Sequence, residues 1–240
     1  MKNYIKYIFF SVIITLLAGV FILEIKNEAE NVIEYLPVMN KTIILDAGHG
    51  GIDPGSLTDD EEIKEKDINL LITLKLKELL ESSGALVFLT REEDVSLYEE
   101  EAGKTIREKY NENLRNRKQM IKDVNADMFI SIHLNKFQES KYYGAQTFYP
   151  SGSEESKEIA NYIQKELKRV VDETNNREIK GTQDIYLLRE NEIPSVLIEC
   201  GFLSNVKETK LLTDDKYQDK IAWSIYVGMQ QYFSVNENKN

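Results

Sequence analysis

The stretch "KTIILDAGHGGIDPG", residues 41–55, runs from an apolar β-type segment into a glycine-rich turn that contains a histidine. The apolar residues predict a first buried strand over 42–46, and the turn places His49 three residues after it. The 240 residues contain two histidines, and the other is His133, directly after a second apolar run at 128–132. Both histidines are therefore predicted at strand ends.

Outward from this stretch, short apolar runs alternate with longer amphipathic segments. This pattern predicts a single α/β domain with a mainly parallel sheet of about six strands flanked by helices. The predicted strands are 42–46, 85–90, 128–132, 145–149, 185–188 and 195–199. The predicted helices are 67–80, 154–171 and 217–233. The long charged connection over 92–126 is interpreted as a solvated helical face, with a role at the rim of a site as the alternative.

The overall charge narrows the classes of partner. Lys and Arg total 30 against 41 Asp and Glu, which gives a formal net charge of -11. A chain this acidic repels phosphate backbones, so nucleic acid is excluded as a partner. Cys200 is the only cysteine, so no intrachain disulfide can form, and it is predicted to be a small buried apolar residue.

The N-terminus has the pattern of an export signal. Lys2 and Lys6 precede an uncharged apolar run over residues 7–23, and lysines on this side predict that the rest of the chain lies outside the cytoplasmic membrane. We expect an uncleaved membrane anchor, with a cleaved signal peptide and a buried N-terminal helix as alternatives. The expected segments are an anchor or signal peptide (1–26), a tether (27–40), the catalytic domain (41–235) and a frayed C-terminus (236–240).

Three ionisable groups are predicted at one edge of the sheet. In open α/β sheets, ligands bind where the carboxyl ends of the strands meet. His49 and His133 follow predicted strands, and Glu199 ends the last one in "IPSVLIECGFLSN". A carboxylate placed after a buried strand is costly to desolvate, which favours a functional role such as general base over a structural one.

Two histidines and one carboxylate are an established ligand set for catalytic zinc. The third ligand stays open on residue patterns alone. Glu65 in "IKEKDINL", Asp46 and Asp53 are all candidates. Each histidine could instead be a hydrogen-bonded structural residue, and Glu65 could be an ordinary acid at the start of a helix.

Four segments resemble the signature blocks of a known family. "ILDAGHGGIDPG", "IKEKDINL", "ADMFISIHLN" and "PSVLIECGFLSN", in this order, are similar to those of the zinc-dependent N-acetylmuramoyl-L-alanine amidases of the third amidase class. The resemblance covers about residues 41–233. It implies one zinc ion with His49, Glu65 and His133 as ligands and Glu199 as the catalytic glutamate. It also implies hydrolysis of the amide between N-acetylmuramic acid and the L-alanine of the stem peptide, with a peptidoglycan strand as substrate.

A finer resemblance is to the germination-specific amidases of spore formers, carried by "GALVFLTREEDVSLY", "LRNRKQMIK" and "GAQTFYP". It implies action on spore-cortex peptidoglycan in the formation of muramic-δ-lactam, and a location in the space between the two membranes of the forespore. The chain departs from many relatives in two places: Glu178 follows Arg177, and Lys136 follows Asn135. No substrate-binding role is therefore transferred to Arg177.

Three other functions are compatible with parts of this pattern. One is a peptidoglycan-binding regulator with little activity of its own, which could require a protein partner. Another is a zinc-dependent glycan deacetylase, which would release acetate instead of a stem-peptide amine. The third is an anchored structural protein, which leaves the two strand-end histidines unexplained.

Overall fold

Six strands form the sheet at the centre of the fold. The computed structural model describes residues 12–23 and 36–237. The strands are β1 (Thr42–Ala47), β2 (Leu86–Leu89), β3 (Met128–Asn135), β4 (Gln146–Pro150), β5 (Lys180–Thr182) and β6 (Ser195–Phe202). Their order in the sheet is β2-β1-β3-β6-β4-β5. Only the β4–β6 pair is antiparallel among the paired strands of these ranges, so the predicted mainly parallel six-stranded sheet is confirmed.

Helices cover both faces of this sheet. The helices of the described residues are α1 (12–23), α2 (Glu65–Ser82), α3 (Ile106–Asp123), α4 (Glu154–Val170), α5 (Val206–Leu212) and α6 (Asp215–Glu237). Helices α2, α4 and α6 pack on one face and enclose the larger apolar core. Helix α3 and a short 3-10 helix (Tyr186–Leu188) cover the other face over a smaller core. We call this second side the α3 face.

The alternation of side chains along the strands decides where polar groups lie. On β1, Ile43 and Leu45 belong to the larger core, whereas Ile44 belongs to the smaller one. Phe129 on β3 and Leu197 on β6 also lie in the smaller core. Since side chains two residues apart share a face, the polar residues that follow them lie on the α3 face near the carboxyl ends of three neighbouring strands. These residues are Asp46, Ser131, His133 and Glu199.

One predicted strand is wrong. Residues 186–188 form the 3-10 helix with Ile185 as its N-cap, closed by a hydrogen bond from the Leu188 amide to the Ile185 carbonyl. A run of only four residues has no periodicity that separates a strand from a helical turn. The sixth strand is β5 instead, whose sequence "KGT" carries no apolar pattern and pairs only with β4 in this sheet.

The N-terminal prediction stays a prediction. Within residues 12–23 and 36–237, no helix is both long and apolar enough to cross a membrane. The leucines of α1 are exposed, with Leu16 and Leu17 at 65%. Residues 1–11 and 24–26 of the predicted anchor, residues 27–35 of the predicted tether and residues 238–240 lie outside the described part of the chain.

Candidate active site

His49 lies in a turn that leaves the end of β1 in an unusual backbone conformation. Its φ is 63°, and Gly50 and Gly51 also have positive φ values. Gly48 must be glycine, because a Cβ there would come within 2.4 Å of the His133 ring. The turn directs His49 Nε2 to a point 3.2 Å from Glu65 Oε1, while Nδ1 lies 2.8 Å from Asp53 Oδ2 in a hydrogen bond.

Glu65 is the first residue of α2 and is only 2% exposed. Its Oε1 accepts hydrogen bonds from the Leu134 amide at 2.9 Å and from Asn69 Nδ2 at 3.2 Å. Its Oε2 accepts from the Ser56 amide at 2.7 Å. A carboxylate at this position is also favoured by the positive end of the α2 dipole. These contacts hold Glu65 in one orientation, with Oε1 towards the histidines.

His133 completes a compact group of three side chains. It lies near the end of β3, which continues to Asn135 beyond the predicted strand end. Its Nδ1 lies 3.0 Å from Glu65 Oε1, the same oxygen that faces His49. One ligand atom each from His49, Glu65 and His133 lie within 4.8 Å of one another. Two imidazole nitrogens and one carboxylate oxygen at this spacing can hold a divalent metal ion such as zinc.

The charges of the group also suit a cation. Burial alone would lower the pKa of His49, but its hydrogen bonds to the Asp53 and Glu65 carboxylates raise it to about 10. Burial acts to raise the pKa of Glu65, yet the two histidines hold it well below its usual value. The carboxylates therefore stabilise positive charge between the ring nitrogens, which is where a metal ion would place it.

Glu199 lies beside this group on β6. It is in register with His133 on β3 and with Gln146 on β4. Its Oε2 is buried and accepts no hydrogen bond from the described residues. Burial raises the pKa of the Glu199 carboxyl to about 7, and the nearby Glu65 carboxylate acts in the same direction. A carboxylate with this pKa and a free oxygen can accept and return a proton near neutral pH.

The other two candidates for the third ligand occupy different places. Asp46 is fully buried and lies 2.6 Å from Arg117 Nη1, outside the group of three. Burial would raise its pKa, but Arg117, His133 and the hydroxyl donors Ser131 and Thr90 together lower it to about 2. Asp53 contacts the far side of His49 through Nδ1. The geometry thus favours Glu65 as ligand and gives Asp53 an outer position that orients His49.

The position of Asp53 leads to a testable prediction. Carboxylates that accept a hydrogen bond from a ligating histidine typically contribute 10- to 100-fold to metal affinity. We expect Asp53→Asn to weaken zinc binding by about 10–100-fold, measured by competition with a chromophoric chelator. Asp60→Asn is the matched control, because Asp60 is exposed on the same segment. Equal zinc affinity for Asp53→Asn and the wild type would rule out this orienting role.

Sequence reasoning missed the arginines beneath the site. Arg117 comes from the connection interpreted as a solvated face, yet it is 1% exposed, so that interpretation is wrong for this residue. Arg91 is 3% exposed and donates to the carbonyls of Ala47 and Gly48. The buried positions of α3 are mainly polar, so hydrophobic periodicity gives no signal for them. Their spacing of one helical turn, at Asn113 and Arg117, is the only available sign.

The basic residues at the two departures from the family pattern make hydrogen bonds to other segments of the chain. Arg177 donates through Nε to the Tyr143 carbonyl and through Nη1 to Gln146 Oε1. Lys136 Nζ donates to the Leu57 carbonyl and to Asp59. Cys200, next to Glu199, is 1% exposed and packs in the larger core, as the sequence predicted.

The chain is similar to a described protein family and to several solved structures. The family model described as N-acetylmuramoyl-L-alanine amidase matches residues 43–231. The chain is 43% identical over 199 residues to the germination-specific N-acetylmuramoyl-L-alanine amidase of Bacillus subtilis, covering 83% of this chain and 82% of that protein. It is similar to the structure of the CwlD amidase from Clostridioides difficile in complex with the GerS lipoprotein, with 70% identity and a TM-score of 0.81. That match covers 82% of this chain and 100% of the other.

A second solved structure, an N-acetylmuramoyl-L-alanine amidase from Clostridium difficile 630, is 31% identical with a TM-score of 0.70, covering 80% of this chain and 96% of that one. Family model, relatives and fold agree, and they confirm the resemblance carried by the four sequence blocks. The chain belongs to the N-acetylmuramoyl-L-alanine amidase family.

Proposed function

We propose that this amidase uses one zinc ion, held by His49, Glu65 and His133, to release stem peptides from spore-cortex peptidoglycan. The bond cleaved by an N-acetylmuramoyl-L-alanine amidase joins N-acetylmuramic acid to L-alanine. The observation that carries the proposal is the convergence of His49 Nε2 and His133 Nδ1 on one Glu65 oxygen, with Glu199 in register beside His133.

The residues present fit a zinc ion. The set contains two imidazoles and one carboxylate, which is the composition of a catalytic site that leaves a position open for the substrate. Outer contacts are also in place, since Asp53 accepts from His49 and three donors orient Glu65. Glu199 Oε2, which accepts no hydrogen bond from the described residues, adds an acceptor beside the group. Most metal-binding histidines donate their second ring N–H to an acceptor such as a carboxylate, as His49 does to Asp53.

The chemistry then follows from these side chains. A bound zinc ion would supply a Lewis acid that polarises the scissile carbonyl and promotes ionisation of the attacking water. Glu199 accepts a proton from that water as the water oxygen bonds to the carbonyl carbon. Glu199 then returns the proton to the alanine nitrogen as the carbon–nitrogen bond breaks. The products are the lactyl carboxylate of muramic acid and a stem peptide with a free amino group.

The cortex is proposed from the relatives and from this product. The similar Bacillus subtilis protein is named a germination-specific amidase. Removing the stem peptide frees the lactyl carboxyl group of muramic acid, which must be free before it can close into a lactam on the same sugar. We place the enzyme outside the cytoplasmic membrane, held by residues 1–26 and a tether over 27–40, in the space between the forespore membranes.

A protein partner is a further part of the proposal. The CwlD amidase that this chain resembles is in complex with the GerS lipoprotein. We propose that a lipoprotein at the same membrane surface also binds this chain. No role in the chemistry is assigned to that partner, because Glu199 and the three candidate ligands all come from one chain.

The experiment that tests the function compares substrates and metals. The full chain is incubated with purified cortex and vegetative peptidoglycan, with and without zinc, and newly exposed amino groups are labelled. We expect labelled L-alanine only with zinc, and faster release from cortex material. Release of acetate without labelled alanine would instead indicate a deacetylase. Absence of both products with zinc bound would indicate a binding protein with little activity of its own.

Equal rates on cortex and vegetative material would contradict the cortex preference but leave the amidase chemistry standing. Alanine release that is unaffected by complete removal of metal would contradict the zinc assignment. The labelled residue identifies the scissile bond directly, because only cleavage at muramic acid exposes the amino group of L-alanine.

A further inference from the structure

The turn that carries His49 is held by side chains along its whole length. Each of the six successive backbone carbonyls of residues 47–52 accepts at least one hydrogen bond from a side chain. The donors are Arg91 and Arg117 to Ala47, Arg91 and Asn69 to Gly48, Arg117 to His49, Ser96 to Gly50, Lys66 to Gly51 and Tyr110 to Ile52. We call residues 47–52 the histidine loop. Its donors come from α2, from α3 and from the segment after β2.

The backbone of the histidine loop needs such support. His49 has a left-handed conformation, with φ at 63°, which is unfavourable for a residue with a Cβ. Gly50 and Gly51 follow with φ values of 129° and 56°. Unfavourable backbone conformations persist only where the surrounding structure determines them. The side chain of His49 points at Glu65 only while this backbone conformation is kept.

Arg117 is 1% exposed, and among these donors only Asn69 is more deeply buried. Its Nη1 donates to the Ala47 carbonyl at 2.8 Å and to Asp46 Oδ1 at 2.6 Å, and its Nη2 donates to the His49 carbonyl. Asp46 is oriented in turn by hydroxyl donors from Thr90 and Ser131. A planar guanidinium can serve several acceptors at fixed angles, whereas a lysine ammonium cannot reproduce that arrangement.

Helix α3 is attached to the fold mainly through these polar contacts. Its buried residues are Asn113, Arg117, Lys118 and Ile121, and only one of them is apolar. Burial of a charged guanidinium is costly unless all its donors are paired. An apolar helix face would anchor α3 to the sheet without this cost. The choice of arginine here therefore points to a role at the histidine loop, which the arginine touches at two carbonyls.

We propose that Arg117, assisted by Arg91, is a positioning residue that preforms the metal site by holding the histidine loop. The proposal rests on the proposed zinc site, because preformation matters only for a ligand that binds His49. It assigns α3, and with it the charged connection over residues 92–126, a function in metal binding. Arg117 contacts neither the group of three side chains nor Glu199 in the hydrogen bonds of the described residues, so it acts through the backbone.

The test uses Arg117→Lys and Arg117→Met, with Arg115→Met as the matched control on the exposed side of the same helix. We expect zinc affinity to fall about 10–100-fold in both Arg117 variants, the range found for groups that orient metal ligands. Arg117→Lys, which keeps a charge opposite Asp46, should fall less than Arg117→Met. The visible spectrum of the cobalt-substituted protein should also change, because the position of His49 changes. Arg115→Met should behave as the wild type.

A second readout needs no metal. Hydrogen exchange of the metal-free protein is followed in the peptide that covers the histidine loop. We expect faster exchange there in both Arg117 variants, with the strands β3 and β6 unchanged. Lower thermal stability combined with wild-type zinc affinity and wild-type exchange in the loop would show a purely structural role and overturn the proposal.

Two milder variants cover the case in which Arg117→Met does not fold. Ser96→Ala and Tyr110→Phe each remove one hydrogen bond to the histidine loop and leave the buried ion pair intact. We expect both variants to bind zinc more weakly and to exchange faster in the histidine loop, with smaller changes than in the Arg117 variants. Wild-type zinc affinity together with wild-type exchange of the loop in both would overturn the proposal. If the wild type itself binds no zinc, the proposed function fails, whereas the exchange result still decides whether Arg117 holds the loop.

Discussion

Glu199→Gln is expected to lower kcat by about 10²–10⁴-fold, the usual contribution of a general acid–base residue, while zinc affinity stays unchanged. Glutamine has nearly the shape of glutamate but cannot accept and return a proton. Glu199 lies in register with His133 but is not one of the three candidate ligands. Burial raises the pKa of its carboxyl to about 7, which suits proton transfer in both directions near neutral pH.

The measurement is the initial rate of L-alanine release from peptidoglycan, together with zinc content and a chelator titration. Glu192→Gln is the matched control, because Glu192 is exposed near the opposite end of β6. A Glu199→Gln enzyme that turns over at close to the normal rate would remove Glu199 from the mechanism. Loss of zinc in this variant would instead indicate that Glu199 is a ligand.

The second large effect is expected for Glu65→Ala. Glu65 Oε1 is the atom on which both ring nitrogens converge, at 3.2 Å from His49 and 3.0 Å from His133. Loss of a direct ligand should weaken zinc binding by more than the roughly 10–100-fold typical of outer contacts. Activity should fall with zinc occupancy, since the carbonyl then lacks its Lewis acid. His133→Ala should give the same joint loss of metal and activity.

Zinc affinity and alanine release are measured on the same preparations, and Glu62→Ala serves as control because Glu62 is exposed three residues before Glu65. Folding of each metal-free variant is checked by circular dichroism, since Glu65 also accepts from the Ser56 and Leu134 amides. Should Glu65→Ala bind zinc as tightly as the wild type, the third ligand would have to be Asp53 or Asp46.

Local patterns predicted most of the sheet. Five of the six strands were recognisable in the sequence, and the signal is strongest for β1, β3 and β6, because burial on both faces requires near-continuous apolar residues. The exceptions have physical causes. The apolar residues at 185–188 form one helical turn, and β5, a three-residue edge strand that is largely exposed, contains no apolar pattern. The position of both histidines and Glu199 at one edge followed from parallel topology alone.

The sequence by itself determined the class of fold, the edge of the sheet that carries the site and, through four ordered blocks, the amidase family. Residue patterns left the third ligand open and the family resemblance implied Glu65, whereas the tertiary structure shows that the Glu65 carboxylate meets both histidines. Glu65 and His133 are 68 positions apart, and Arg117 lies 71 positions from Asp46. Periodicity reports which side of a strand or helix is buried. It does not report which polar side chain from a distant helix reaches a given carbonyl, because that depends on how α2 and α3 pack against the sheet.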